Sequence, residues 1–191
     1  YDKDMRAEVQ SETGGSYQRL MYFALASRSE YVADIIDLAC HAGVLELGCD
    51  ETALLEIFVT RTKAELQEGK VVWEGRTDKS LVDFLTGELG SSYRHLKTLL
   101  CTLYMGDRDE SGEADPDVAA EQAAALHAEC EKGWFEDFEE SLIIDTIGKN
   151  STAQNVALVN EYEKAHHESL RKALEGKCGD RLHYALCALL L

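Results

Sequence analysis

The sequence predicts an all-α protein built from repeats, and three observations carry that reading. Over 191 residues there is a single proline, and Ala, Leu and Glu are abundant. Apolar residues recur with a period near 3.6 almost throughout, and few stretches alternate with period two. Three segments share one shape: "SETGGSYQRLMYFAL" (11–25), "GELGSSYRHLKTLLC" (87–101) and "GKCGDRLHYALCALL" (176–190). Each ends one helix, turns through glycine and enters an apolar helix, and the glycines are expected as C-caps.

Taken in chain order, residues 1–29 read as the tail of one repeat. In the next unit, 30–105, Leu54, Leu55, Phe58 and Val59 recur at helical spacing, and Thr60-Arg61-Thr62 ends that run. Tyr93, Leu96, Leu99, Leu100 and Leu103 form a second apolar stripe. An acidic stretch, 106–116, then reads as a solvated linker. The last unit, 117–191, repeats the pattern: "SLIIDTIGKNSTAQNVALVNEYEKAHHESLRKALEG" (141–176) parallels "ALLEIFVTRTKAELQEGKVVWEGRTDKSLVDFLTG" (53–87). Units this long are expected to hold several helices each rather than two.

Composition narrows the function. The formal net charge is −17, so the body has too few cations to bind nucleic acid by counterion release. Anionic lipid repels it unless a cation bridges the two. The six cysteines, Cys40, Cys49, Cys101, Cys130, Cys178 and Cys187, form no CxxC motif and are expected as reduced thiols of a cytoplasmic protein. No signal peptide is recognised. The longest charge-free apolar run, the C-terminal "YALCALLL", is far short of the roughly twenty residues of a membrane span. The opening "YDKDMRAEVQ" lacks an initiator Met and starts inside a helical pattern, as expected of a fragment.

"LELGCDETALLEIFVTRT" (45–62) and "TGELGSSYRHL" (86–96) resemble the annexin family: the first its glycine loop, Thr-Asp-Glu, helix and Thr-Arg-Ser pattern, the second its acidic, Ser-Gly, aromatic pattern. The resemblance runs over essentially the whole chain. It is strongest in 42–104 and loosest after residue 117, and the divergence is similar to that of protist members such as the α-giardins. It implies repeats of five helices in a right-handed superhelix, with this chain holding the end of repeat two and then repeats three and four. "AGVLELG" (42–48) is similar to the repeat-three form of the loop.

The resemblance also implies a metal. In annexins such a loop offers carbonyls to Ca²⁺, a hard ion taking six to eight oxygens, and a later carboxylate closes the site. Carried over by position, Gly43, Glu46 and Gly48 supply carbonyls and Glu88, 40 residues past Gly48 (88 − 48), supplies the carboxylate. The alternative is an ordinary interhelical loop with a surface Glu. Two residues depart from the pattern. Glu46 stands where many loops have Gly, and Cys49 replaces a Thr that is a better helix N-cap, at about 1 kcal/mol. Leu47, at the loop tip, is expected either to enter the lipid interface or to pack back on its own repeat. Glu12 occupies the slot of Glu88 without its loop, a partial site only.

In the last repeat the slot holds Lys177, Glu175 is misplaced by two residues, and the loop "CEKGWFEDFEES" (130–141) lacks the two-glycine pattern. That site is expected to be lost. Trp134 and Phe135 are expected to pack against a neighbouring repeat rather than form a membrane tip, and Glu136, Asp137, Glu139 and Glu140 remain a weaker candidate for a non-standard ion. "DRDESGEADPDV" (107–118) imitates an EF-hand through Asp107, Asp109, Ser111, Gly112 and Asp115, but its twelfth position is Val118 rather than a bidentate Glu. His183 and Cys187 lie one helical turn apart with Cys178 nearby, without a fourth zinc ligand. Arg61 reads as a structural partner to buried carbonyls or an acid, replaced by Lys149 in the last repeat, and the neighbours His166 and His167 suggest nothing. No nucleophile elbow, P-loop or dinucleotide fingerprint is present, and no enzyme is expected. The function the resemblance implies is calcium-dependent binding to acidic phospholipid membranes, as a cytoplasmic, peripheral protein. The alternative is a structural, cytoskeleton-associated scaffold with weak or no calcium dependence.

Overall fold

The computed structural model describes residues 4–41, 50–88, 94–106, 108–133 and 137–191, the side chains of His41 and Glu88 excepted. Among them there are twelve helices and no strand. A short pair comes first, α1 (Met5–Glu12) and α2 (Gly15–Ala24). Five helices follow: α3 (Arg28–His41), α4 (Glu51–Thr60), α5 (Lys63–Thr77), α6 (Leu81–Glu88) and α7 (Arg94–Met105). Five more complete the chain: α8 (Pro116–Cys130), α9 (Glu140–Lys149), α10 (Thr152–His166), α11 (Leu170–Leu174) and α12 (Asp180–Leu189).

The helix boundaries follow from local chemistry. Thr62 and Glu65 form a reciprocal capping box at the start of α5. Ser151 caps α10 through Gln154 N at 3.0 Å, and Pro116 opens α8, where its missing N–H has no cost. Two boundary expectations need correcting. The cap of α4 is Asp50, whose carboxylate accepts from Ala53 N at 3.1 Å, so Cys49 in place of Thr carries no capping penalty. The glycines are not uniform C-caps. Gly176 turns with φ +76° after α11, but Gly14 and Gly15 stand at the start of α2 and Gly87 lies inside α6.

One continuous core runs through both five-helix sets, from Val32, Leu54, Phe58 and Trp73 to Ile143, Leu158, Tyr162 and Leu186. Within the first set α3 and α5 pack so closely that a Cβ at Gly69 would sit 2.3 Å from Val32 Cγ1. Between the sets α9 lies on α7, with Gly148 against Thr102 and Leu99. The leading pair buries no side chain fully. It is tied on by charge: Arg6 pairs with Asp34 and Glu30 and lies 3.8 Å from the centre of the Tyr22 ring, while Arg76 reaches the other oxygen of Asp34 at 2.6 Å.

The acidic stretch is solvent-exposed, yet it is stitched to both sets rather than left free. Glu110 accepts from Lys63 N at 2.7 Å, Asp109 N donates to Lys149 O at 2.8 Å, and Ser151 Oγ donates to Glu113 O at 2.8 Å. Its EF-hand likeness dissolves here. The Asp109 carboxylate is taken by the amide and hydroxyl of Ser111, and that of Asp115 caps α8; Asp107 lies outside the described residues.

Candidate metal site

Two junctions correspond to the sites read from the sequence. In the first set, Gly43, Glu46, Leu47, Gly48 and the Glu88 side chain all lie outside the described residues. What surrounds them is defined. Asp50 N donates to Ala39 O at 2.7 Å, which pins together the two stems of the 42–49 loop. Glu51, in the first turn of α4, pairs with Arg181 of α12 at 2.9 Å, so the second set braces the helix that leaves the loop. The carbonyl of Thr86, near the end of α6, accepts from Lys97 Nζ. The helices α1 and α6 are both eight residues long and both close on a glutamate, Glu12 and Glu88. Glu12 itself is exposed.

The second junction is described except for 134–136, which include Trp134, Phe135 and Glu136. The donors of its described residues do not suit a divalent ion. Lys177, three residues past α11, donates from Nζ to the carbonyl of Lys132 at 2.8 Å. Lys132 Nζ in turn donates to Asp137 O and Glu129 Oε1, each at 2.8 Å. Glu129 is 5% exposed and also accepts from Glu139 N. Burial pushes its carboxyl up, but the Lys132 ammonium and the Glu139 amide outweigh that and hold it below the ordinary glutamate range. Of the acidic residues weighed as a non-standard cluster, Glu140 is held by His95 at 2.8 Å. Among the described residues no three His, Cys, Asp or Glu side chains converge as a metal site.

The remaining candidates resolve into packing. His183 Nε2 lies 2.9 Å from Arg171 O and 3.3 Å from Cys187 Sγ. A carbonyl only accepts, so that nitrogen carries the proton and is turned away from metal binding. Burial pushes the Cys178 thiol up to about 12 and the Cys130 thiol up to about 11, and no disulfide joins the five described cysteines. Arg61 lies with its guanidinium 5.5 Å from the Tyr31 ring centre, and its buried Nε meets neither carbonyl nor acid among the described residues. Lys149 pairs with Asp145 at 3.0 Å.

Two features were missed in the sequence. Asn155, 1% exposed, donates to Ile147 O and Leu189 O at 3.0 Å each and accepts from Asn150 at 3.1 Å, tying α9, α10 and α12 together. The imidazoles of His127 and His166 stack at 3.6 Å between ring centres, and His127 Nδ1 lies 3.2 Å from Tyr162 Oη. A helical net places 162 and 166 on one face, but nothing in the sequence brings α8 against it.

The twelve-helix arrangement defines a helical-repeat protein with the annexin fold. A solved structure of an annexin A8 variant superposes with a TM-score of 0.84 at 26% identity, covering 99% of this chain and 57% of that one. Calcium-bound α-14 giardin shares the fold with a TM-score of 0.80 at 20% identity, covering 98% of this chain and 60% of that one. Human annexin A13 is 27% identical over 189 residues, 99% of this chain and 57% of its own length. The family model described as Annexin matches residues 37–100. The chain is similar to annexins along nearly its whole length, and it spans a little over half the length of these relatives. Among the described residues no helix is long and apolar enough to cross a membrane.

Proposed function

We propose that this chain binds acidic phospholipid membranes peripherally, through one Ca²⁺ held between the 42–49 loop and Glu88. The carrying observation is the clamp at the loop base, Asp50 N to Ala39 O, with α6 ending on Glu88. A glycine-flanked loop whose stems are already joined loses less entropy on turning its carbonyls toward an ion. The match of residues 37–100 to the annexin family model supports the reading, as does the calcium-bound state of the α-14 giardin that shares the fold. Gly43, Glu46 and Gly48 supply carbonyls, and Glu88 the charge that carbonyls lack. The net charge of −17 makes a bridging cation necessary at an anionic surface, while Leu47 adds apolar insertion of about 1.5–3 kcal/mol if fully buried in lipid.

Co-sedimentation with phosphatidylserine vesicles, in calcium and in chelator, tests this directly. The chain is expected in the pellet only with calcium. Glu88→Gln removes the formal charge beside a divalent ion, and calcium affinity should fall about tenfold or more, as a charge-assisted contact of roughly 1.5–3 kcal/mol is lost. Vesicle binding should fall with it. Leu47→Ala should spare calcium binding in solution while weakening attachment to vesicles. Equal pelleting of Glu88→Gln and the parent chain at equal calcium would place the site elsewhere.

A further inference from the structure

The junction between α8 and α9 is already supplied with cations, and both are covalently part of the chain. Each of two loop carbonyls, Lys132 O and Asp137 O, accepts from an ammonium at 2.8 Å. The buried Glu129 carboxylate accepts from one of those ammonium groups and from the Glu139 amide. A divalent ion needs converging oxygens and compensating negative charge. Among the described residues these two carbonyls are engaged, the buried Glu129 carboxylate is matched by Lys132, and the Lys177 ammonium adds like-charge repulsion to any second cation.

We infer that Lys177 is a tethered cation that closes this junction in place of a metal, holding the loop in its bonded form at any calcium concentration. The sequence places Lys177 to do so: Gly176 turns with φ +76°, Lys177 N returns to Leu174 O at 3.2 Å, and the side chain is carried across to residue 132. A tethered ammonium has no translational entropy to lose on arrival, unlike a free ion. The chain thus carries one junction closed by its own lysine, and this holds whether or not the 42–49 loop takes up calcium.

Residue-resolved amide hydrogen exchange on the full chain tests it, read at 130–133 and 137–139 with α5 as the reference for global opening. In the parent chain and in Glu88→Gln, exchange there should be the same in calcium and in chelator. Lys177→Met should speed exchange about tenfold at these amides without changing α5, and Lys177→Gln, which keeps a donor, should lie between. Lys177→Glu should make the protection calcium-dependent, since it puts a carboxylate where the ammonium sits. Slower exchange on adding calcium to Glu88→Gln overturns the inference, because a metal then binds this junction. So does unchanged protection in Lys177→Met, or a Lys177→Glu loop indifferent to calcium.

Discussion

His166, stacked on His127, is expected to make stability depend on pH. Burial holds the His166 imidazole below the usual histidine range, and the neighbouring His127 and His167 add to that, with Glu131 partly opposing. Tyr162 faces the pair from α10 and places its hydroxyl on His127. A histidine whose folded pKa is depressed binds fewer protons folded than unfolded. Stability is therefore fully present above the unfolded value, about 6.5, and declines as pH falls through it toward the folded value. Glu129 titrates in a separate window: its lowered pKa contributes stability above the unfolded glutamate value that is lost only in stronger acid. Urea midpoints measured from pH 7.5 down to 5.5 should fall, and His166→Phe should flatten that slope. An equal slope in both chains would exclude His166 as its source. This residue-level chemistry was the least legible part of the sequence, since His127 and His166 meet only when α8 lies against α10.

At the level of helices, legibility tracked how local the cause is. Period-3.6 stripes marked α4 and α7 correctly because burial of Leu54, Leu55, Phe58 and of Leu96, Leu99, Leu100, Leu103 is what keeps each helix in place. Turn chemistry was less legible. The cap of α4 moved one residue to Asp50 because a carboxylate outcompetes a thiol as acceptor, and only some glycines serve positive φ. Lys177 alone leads to the expectation that the last site is lost, but not to its ammonium reaching the carbonyl of Lys132. The tight α3–α5 crossing was not readable either: Gly69 looks like a helix-weakening glycine until Val32 is seen 2.3 Å from its missing Cβ. Gly69→Ala gains helix propensity yet must push the two helices apart. It is expected to destabilise by about 1–3 kcal/mol, measured as a lower urea midpoint, and a midpoint at or above the parent's would show that the crossing yields freely.

The whole molecule is stitched across its two five-helix sets, and that fixes how a ligand at one end should be felt at the other. Repeat proteins divide into near-neighbour units when their interfaces are weak. Here one apolar core spans both sets, α9 lies against α7 at Gly148, and among the described residues Arg181 pairs with Glu51 and His95 meets Glu140 across the seam. Exposed pairs alone contribute little, so the shared core is the larger cause of coupling. Unfolding in urea should then be a single transition, the same by far-UV circular dichroism as by the fluorescence of Trp73, isolated by Trp134→Phe. Calcium bound only to the folded chain raises stability by RT ln(1 + [L]/Kd), about 2.7 kcal/mol at a hundredfold excess over Kd. Because Glu51 stands in the first turn after the 42–49 loop and is held by α12, that gain should move the entire transition rather than the first set alone. Glu88→Gln should abolish the shift, whereas Lys177→Met, acting at the junction closed by its own lysine, should leave it intact. Two separated transitions in calcium, only one of them displaced, would mean that the seam does not transmit binding and that the sets unfold independently.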